Sequence, residues 1–263
     1  MFLAIDIGNT EVTLGIFEGE ELRATWHVST GLHRTVDEYA VLLLSLIRSY
    51  PTAIKIDSMA MCSVVPPLVA IFEELCRCYF HISPLVVGSG VKTGVRIRMD
   101  NPREVGADRI VDAAAVHHLY GGPVIIADFG TATTFDVISR SGDHMGGAIT
   151  PGINIAAEAL FMRAAMLPRV ELVRPQRVIG TNTVAAMQSG LVFGYVALVE
   201  GMIDRIQKEL GESATVVATG GLSGFIARQT DVINIVNPNL TLIGLRLIYL
   251  LNKNLVKEKN SAD

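Results

Sequence analysis

The sequence predicts an α/β protein built from two similar halves. The first observation is an internal repeat, because Leu3–Thr10 and Ile125–Ala132 both read as an apolar run, Asp, an apolar residue, Gly and a hydroxyl- or amide-rich turn. Each copy continues into a second apolar run, Val12–Phe17 or Thr134–Ile138. The second observation is the order of the predicted elements, in which strands come first and helices and strands then alternate, once in each half. A strand that ends in an acidic, glycine-bearing turn, used twice, suggests a duplicated nucleotide-binding domain.

The composition provides enough apolar residues for two cores and excludes several classes of partner. The chain has 263 residues, 50% of them hydrophobic, and a formal net charge of -4. Without a basic run, nonspecific binding to nucleic acid is not expected. No apolar stretch reaches the roughly 18 uninterrupted residues of a membrane span. Residues 1–17 also lack the basic start of a signal peptide, since Asp6 lies inside the apolar run. We therefore expect a cytoplasmic protein that binds neither nucleic acid nor membrane.

The first half is predicted to span residues 1–120 and to begin with an antiparallel meander. Its strands are Phe2–Ile5, Val12–Phe17 and Leu22–Val28, and the turns between them contain Gly8 and Gly19. The remaining elements of this half alternate between helix and strand: Tyr39–Tyr50 (helix), Ile54–Val64 (strand), Leu68–Phe80 (helix), Leu85–Val87 (strand) and Ala107–Leu119 (helix).

The second half is predicted to span residues 121–255, after a break at Gly121-Gly122-Pro123. Its predicted strands are Val124–Asp128, Thr134–Ser139, His144–Ile149 and Ala214–Ala218. Its predicted helices are Ile153–Arg163, Thr183–Leu210 and Phe225–Arg228. Residues 256–263 are predicted to form a polar tail. Two similarly ordered halves imply a cleft between them, where ligands usually bind.

The repeated turn carries residue types suited to phosphate and magnesium. Gly8 permits close approach of the backbone to a ligand, and Asn9, Thr10 and the following amides can donate to phosphate oxygens. Asp6 can hold Mg²⁺ directly or through water. A single Asp-x-Gly is a common β-turn, but turn chemistry alone does not explain a second copy that begins at Asp128.

A glycine pair after a further apolar run is a weaker signal. Thr219-Gly220-Gly221 follows Val216–Ala218, and backbone in such a turn could lie against a flat ligand such as adenosine. Glycine turns are frequent, so this motif alone decides little. The chain has neither the P-loop pattern nor a dinucleotide-binding Gly-x-Gly-x-x-Gly between strand and helix.

The segment Asn101–Arg109 leads into a predicted helix that begins with Ala107, Asp108 and Arg109. Asp108 can be a first-turn charge that favours the positive end of the helix. It can also be a general base toward a substrate hydroxyl, with Arg109 binding a carboxylate or phosphate. The local pattern leaves both interpretations open.

Taken together, these motifs resemble the superfamily of actin, sugar kinases and heat-shock ATPases, and within it the type III pantothenate kinases. No single piece is decisive, but the pieces occur in the order found in that family. The matching segments are Asp6–Thr10, Val105–Arg109, Asp128–Thr134, Gly146–Gly152, Asn182–Gly190 and Thr219–Leu222.

The resemblance implies two ribonuclease H-like, actin-like ATPase domains with a cleft between them. It also implies transfer of the γ-phosphoryl group of ATP to the primary hydroxyl of pantothenate, which gives 4'-phosphopantothenate in the first step of coenzyme A synthesis. The implied cofactors are Mg²⁺ and a monovalent cation, K⁺ or NH₄⁺, and the implied assembly is a homodimer that completes the site across its interface. The residues that match ATP-binding positions are Asp6, Ile7, Gly8, Asn9, Thr10, Glu11, Val12, Thr13, Thr131, Gly220 and Gly221.

The resemblance also assigns the substrate side of the site. Asp108 matches the proton acceptor, Asp128 matches a monovalent-cation ligand, and Asp6 matches a residue that positions Mg²⁺. The positions that match pantothenate contacts are Met99, Gly106, Ala107, Asp108, Arg109 and Thr183. Some family members carry a Tyr at the position of Met99, and a thioether can keep the shape contact but not a phenolic hydrogen bond.

Two other functions remain open from the sequence. One is a different reaction of the same superfamily, such as another small-alcohol kinase or a phosphatase. The other is a nucleotide-sensing regulator without catalysis, since some relatives were first described as accessory factors for gene regulation. Asp6, Asp108 and Asp128 together favour an enzyme, because a binding module needs no base that faces a substrate.

Overall fold

A computed structural model describes the backbone of residues 1–260 and the side chains of residues 1–253. Residues 261–263, the end of the predicted polar tail, lie outside the described residues. The chain divides into two compact units. The first unit consists of Met1–Arg96, Asp100–His118 and the chain from Leu240 onward, and the second consists of Ile97–Met99 and Leu119–Asn239.

The strands are β1 (Phe2–Ile7), β2 (Glu11–Glu18), β3 (Glu21–Ser29), β4 (Ser58–Ser63), β5 (Leu85–Val86), β6 (Val124–Phe129), β7 (Ala132–Ile138), β8 (His144–Pro151), β9 (Thr215–Thr219) and β10 (Ile235–Val236). The α-helices are α1 (Val36–Arg48), α2 (Pro66–Leu75), α3 (Ala107–Tyr120), α4 (Ile153–Arg163), α5 (Thr183–Leu210), α6 (Ser223–Ala227) and α7 (Leu240–Asn260). A π-helical turn, Cys76–Phe80, continues α2, and a 3₁₀ turn, Pro102–Glu104, precedes α3.

The two sheets have the same strand order, which confirms the duplication predicted from the repeated turn. The first sheet runs β3-β2-β1-β4-β5 and the second runs β8-β7-β6-β9-β10. In each, the first three strands of the unit are antiparallel neighbours. The two remaining strands of each sheet then join in parallel: β4 pairs with β1 and β5 with β4, and β9 pairs with β6 and β10 with β9. The carboxyl ends of β1 and β4, and of β6 and β9, therefore meet at one edge of their sheet, where the turns that carry Asp6 and Asp128 begin.

The first sheet is covered on both faces. One face packs on α1 and α2 through residues such as Ile5, Leu43 and Phe72. The other face packs on α3 and α7, where Val111 and Leu245 join a single buried cluster with residues of β1 and β4. Helix α1 begins at Val36, earlier than predicted, because Thr35 and Glu38 form a capping box.

The last helix changes the predicted domain boundary. The division after His118 lies close to the predicted limit at residue 120. The chain from Leu240 onward, however, was expected in the second half and instead belongs to the first unit. The reason is that Leu242, Leu245 and Ile248 of α7 bury their side chains with Ala4 and Ala60 of the first sheet.

Helix α5 is the core helix of the second unit. Among the described residues, it is the one helix that is long and apolar enough to cross a membrane by length and composition alone. Its Tyr195, Val199 and Ile203 pack with Phe129 and Phe135 of the second sheet. The apolar face of α5 is thus used in the core of a globular unit.

Candidate active site

The first repeated turn is closed by its own backbone. The amide of Gly8 donates to the carbonyl oxygen of Glu11 at 2.9 Å, and the Thr30 hydroxyl donates to the carbonyl oxygen of Gly8 at 2.7 Å. A Cβ atom at Gly8 would lie 2.9 Å from the Glu11 oxygen, closer than real Cβ contacts. Only glycine fits this position without a shift of the turn, which leaves Asn9 and Thr10 exposed to solvent.

Asp6 lies between two neighbouring strands immediately before this turn. It pairs with Thr13 of β2 and with Cys62 of β4, and the Cys62 thiol donates to Asp6 Oδ1 at 3.3 Å. Burial, and next the negative charge of Asp108, raise the pKa of Asp6 from 3.8 to about 7, against an opposing effect of the Cys62 hydrogen bond. A nearby cation would stabilise the charged form of a carboxylate that is disfavoured in this way.

Asp108 lies in the first turn of α3, in the same unit as Asp6. Its Oδ1 accepts the amide hydrogen of Arg109 at 2.8 Å. A Cβ atom at Gly106 would collide with the same carboxylate oxygen. The absence of a side chain at Gly106 therefore lets the Asp108 carboxylate lie against the backbone there. The charge of Asp108 is felt at both Asp6 and Cys62. The first unit thus places two carboxylates within electrostatic range of each other.

The carboxylate of Asp6 is of the kind that can hold Mg²⁺ when a ligand supplies the other donors. Within the described residues there is no group of three or more His, Cys, Asp or Glu side chains that could hold a metal by themselves. Mg²⁺ is usually bound through one or two carboxylates together with substrate phosphates and water. Asp6, whose charged form is disfavoured by burial and by the charge of Asp108, has the chemistry expected of such a ligand.

The second repeated turn is held against the end of β9. Asp128 pairs with Thr219 of the parallel neighbour, and the next residue, Gly220, has a φ of +83°. A Cβ atom at Gly220 would collide with the Asp128 carboxylate and would lie 2.8 Å from the backbone of Phe129. The Ser223 hydroxyl donates to the carbonyl oxygen of Gly220 at 2.7 Å. Gly220 therefore has to be glycine, both for its backbone conformation and for its contact with Asp128.

A third glycine closes the other side of the second turn. The amide of Gly152, the residue before α4, donates to the carbonyl oxygen of Thr131 at 3.1 Å. A Cβ atom there would collide with the same oxygen and lie 2.7 Å from that of Gly130. The amide of Gly130 donates to the carbonyl oxygen of Ala132 at 3.1 Å. The turn is thus enclosed by its own backbone, by Gly152 and by Gly220.

Comparison with known proteins decides the family. Residues 2–205 match the family described as type III pantothenate kinase. The type III pantothenate kinase of Dehalococcoides mccartyi (strain CBDB1) is 56% identical over 252 residues, which cover 95% of this chain and 96% of that protein.

The chain belongs to the type III pantothenate kinase family.

Solved structures of more distant proteins share the fold of this family member. A Baf family protein from Campylobacter jejuni, described as a transcriptional activator, superposes with a TM-score of 0.62 at 20% identity, covering 96% of this chain and 99% of that one. The inorganic polyphosphate/ATP-glucomannokinase of Arthrobacter sp. strain KM gives a TM-score of 0.52 at 14% identity, covering 95% and 98%. The predicted class, two ribonuclease H-like domains of the actin-like ATPase type, is confirmed.

The residues predicted for the pantothenate kinase site fall in both units. The first unit contains Asp6–Thr13 and Gly106–Arg109. The second unit contains Met99, Asp128, Thr131, Thr183, Gly220 and Gly221. Within the first unit the structure brings Asp6 near Asp108, and within the second it brings Asp128 into contact with Gly220.

Two of the predicted ATP-binding residues cannot use their side chains. Ile7 and Val12 are both 0% exposed and belong to the core cluster under α1 and α2. The carbonyl oxygen of Ile7 also already accepts the amide of Val64 at 3.1 Å. Their contribution is to anchor the ends of β1 and β2, which hold the turn from Gly8 to Glu11.

Thr183, by contrast, is exposed at the start of α5, where the Asn182 side chain caps the helix by accepting the amide of Ala185 at 2.9 Å. Thr183 lines a surface cavity of about 670 Å³ together with residues such as Leu160, Leu167 and Met187. A substrate contact at Thr183 is thus sterically possible, because nothing within the second unit covers this side chain.

The contact between Cys62 and Asp6 was not predicted from the sequence. Burial, and next the charge of Asp6, raise the pKa of the Cys62 thiol well above its usual range, so it stays a neutral donor. Its role depends on the parallel register of β1 and β4, which no local pattern around Cys62 reveals. Gly152 was part of a matching segment, but its contact with Thr131 required the folded turn.

Proposed function

We propose that this chain transfers the γ-phosphoryl group of ATP to the primary hydroxyl of pantothenate, the first step of coenzyme A synthesis. The observation that carries the proposal is the pair of carboxylates, Asp6 and Asp108, in one unit of a type III pantothenate kinase family member. The raised pKa of Asp6 supports a role toward a cation. The position of Asp108 at a helix start supports a role toward a polar substrate.

In the proposed reaction, Asp108 accepts the proton of the primary hydroxyl as that oxygen attacks the γ-phosphorus. The bond between the γ-phosphorus and the β–γ bridging oxygen breaks, and ADP leaves with the electron pair. Such transfers depend chiefly on alignment and charge neutralisation, so the base contributes less than the groups that hold the phosphates. Arg109, which follows Asp108, would bind the carboxylate of pantothenate, and Gly106, Ala107 and Thr183 would complete its surroundings.

Asp6 would hold Mg²⁺, directly or through water, and the turn that ends at Thr13 would receive the phosphates. The exposed Asn9 and Thr10 are the groups of that turn best placed to donate to phosphate oxygens. Mg²⁺, when bound with ATP, neutralises the charge that develops on the phosphates. Cys62 would keep one oxygen of Asp6 occupied by its thiol hydrogen, so that the carboxylate has a defined orientation.

In the second unit, Asp128 would bind a monovalent cation, K⁺ or NH₄⁺. Thr131 would contact ATP, and Gly220 with Gly221 would line the adenosine. The enclosed second turn supports this assignment, since Gly220 brings its backbone against the Asp128 carboxylate. A monovalent cation there would supply positive charge that P-loop kinases obtain from a lysine.

We also propose a homodimer that completes the site across its interface. The second unit exposes large apolar side chains around α4 and the segment that follows it, including Met166 (91% exposed), Ile179 (82%) and Met162 (69%). An apolar surface of this kind is typical of a protein–protein interface. Thr183 follows this surface in the chain, which connects the proposed interface with the proposed pantothenate contact. A cytoplasmic location is proposed as well, where ATP is supplied.

The test is release of ADP by the purified protein in the presence of ATP and Mg²⁺, with and without pantothenate. We expect ADP release that depends on pantothenate and that is faster in K⁺ than in Na⁺. Binding of ATP without any pantothenate-dependent release would overturn the proposal and favour a nucleotide-sensing regulator. Release with another small alcohol but not with pantothenate would favour a different kinase of the superfamily.

A further inference from the structure

The short segment Ile97–Met99, here termed the strap, belongs to the second unit, although the chain on both sides of it belongs to the first. The amide of Arg98 donates to the carbonyl oxygen of His144 at 2.8 Å, and Ile97 forms an isolated parallel bridge with His144. Strand β8, which begins at His144, is the edge strand of its sheet. The strap therefore forms hydrogen bonds with backbone groups at the start of β8 that an edge strand would otherwise leave unpaired.

A side-chain contact holds the strap in this register. Arg98 Nε donates to Asp143 Oδ2 at 2.9 Å. The Asp143 side chain is 14% exposed and that of Arg98 is 49% exposed, so the carboxylate is the better shielded partner. Asp143 is itself fixed in the turn between β7 and β8, because its amide donates to Ser139 Oγ at 3.0 Å and its carbonyl oxygen accepts the Ser139 amide at 2.9 Å. A charged contact with one rigid partner restricts the other side chain and its backbone.

A buried pair holds the residue on which the strap docks. The His144 ring is 0% exposed, and its Nε2 lies 2.7 Å from Oδ1 of Asp136, which is 2% exposed. The other carboxylate oxygen, Asp136 Oδ2, accepts the hydroxyl of Thr134 at 3.0 Å. A buried polar pair is costly to break, since the remaining partner would be left without its hydrogen bond. The pair thus fixes His144, and with it the carbonyl oxygen that binds the Arg98 amide.

We propose that Arg98, Asp143 and the buried pair of His144 and Asp136 are positioning residues that hold Met99 for pantothenate. This inference rests on the proposed function, in which Met99 contacts that substrate. Met99 is the last residue of the strap, and the loop beyond it leads to Asp108. The contacts of Arg98 restrict the conformations of the loop before substrate binds. The loop therefore loses less conformational entropy when pantothenate binds. Loss of the strap contact should therefore weaken pantothenate binding and leave ATP binding unchanged.

The kinetic test compares Arg98→Ala and Asp143→Asn with the unaltered protein. We expect the KM for pantothenate to rise about fivefold in each, as suits a partly exposed ion pair, with the KM for ATP unchanged. Arg140→Ala is the matched control, because it removes another ion pair of the second unit, Arg140 with Glu212 at 2.6 Å, and should change neither KM.

The reversed pair, Arg98→Asp with Asp143→Arg, should recover a substantial part of the lost pantothenate affinity, which a general loss of stability would not allow. Asp136→Asn tests the buried pair and should raise the same KM. Unchanged KM values for pantothenate in both Arg98→Ala and Asp143→Asn would overturn the inference.

Hydrogen exchange separates this inference from the proposed function. The amide of Arg98 should be protected in the full-length protein and should exchange at least about tenfold faster in Asp143→Asn, while Arg140→Ala leaves it protected. Unchanged exchange in Asp143→Asn would show that the ion pair does not hold the strap and would sink the inference. If the strap responds but the unaltered protein releases no ADP with pantothenate, the proposed function falls, and with it the role of Met99.

Discussion

Replacing Asp6 with Asn is expected to stabilise the empty protein while it removes a proposed magnesium ligand. Asn has nearly the same shape as Asp, and its carbonyl oxygen can still accept the Cys62 thiol hydrogen. What the substitution removes is the negative charge that burial and Asp108 disfavour. A functional carboxylate held at a cost in stability is a common arrangement in active sites.

The size of the effect follows from the pKa of Asp6. A rise from 3.8 to about 7 corresponds to about 4 kcal/mol, at about 1.4 kcal/mol for each unit. Because Asp6 is only partly buried, solvent screens part of this cost, and we expect about 2 kcal/mol. For a chain of this size, that corresponds to a rise in Tm of about 4–8 °C.

The sign of the pH dependence is fixed by the direction of the shift. The folded-state pKa of Asp6 lies above its unfolded value, so the folded protein binds the proton more tightly. The protonated form contributes stability that is fully present below about pH 4 and is lost as the pH rises through about 7. Asn at position 6 does not ionise, so Asp6→Asn does not lose stability in this pH range. The Tm of the variant should therefore equal that of the unaltered protein at pH 4 and exceed it by the full amount at pH 8.

Thermal unfolding of both proteins at pH 4, 6 and 8, without Mg²⁺ or nucleotide, measures this difference. Asp100→Asn is the control, because Asp100 is exposed and should change Tm little at any pH. Addition of ATP with Mg²⁺ should then raise the Tm of the unaltered protein more than that of Asp6→Asn. A variant that is less stable at pH 8, or a difference in Tm that does not vary with pH, would show that the charged form of Asp6 does not destabilise the protein.

Three further predictions concern the second unit and the thiols. Gly220→Ala should lower Tm and weaken ATP binding at least about tenfold in calorimetry, because its Cβ collides with Asp128. Gly194→Ala, at an exposed position of α5 where a Cβ meets no atom within 4 Å, should bind ATP normally. Asp128→Asn should abolish the difference in ADP release between K⁺ and Na⁺, and a retained preference for K⁺ would exclude Asp128 as the cation ligand. Iodoacetamide at pH 8 should modify the exposed Cys78 and leave the buried Cys62 intact in the mass spectrum, and rapid loss of the Cys62 thiol would contradict its burial.

Much of the fold could be predicted because its pattern is local. The apolar run before Asp6 and the one before Asp128 were sufficient to predict two equivalent strands, and the limits of α4 and α5 agree with those predicted. The predicted strand Ile54–Val64 is shorter in the structure, where β4 begins at Ser58. The apolar residues before Ser58 do not show where β4 starts to pair with β1. Pairing begins at Ser58 because its partner, Phe2, is the first residue of β1.

The parts that the sequence did not reveal depend on distant partners. Helix α7 was not predicted as an element of the first unit, because its apolar stripe is complementary to β1 and β4 at the other end of the chain. The position of Cys62 beside Asp6 depends on strand register, and the docking of Arg98 on His144 depends on a bridge between remote segments. Ile7 and Val12 match the family motif, and the burial of their side chains in the core became visible only in the folded structure.

The turnover of Asp108→Asn tests whether Asp108 is the general base of the proposed kinase. We expect kcat with ATP and pantothenate to fall by about 10²–10⁴, while the Kd for ATP stays the same, since Asp108 acts on the hydroxyl and not on the nucleotide. Asp100→Asn, in the segment before the same helix, should keep full activity. Turnover in Asp108→Asn equal to that of the unaltered protein would contradict the assignment of Asp108 as the base.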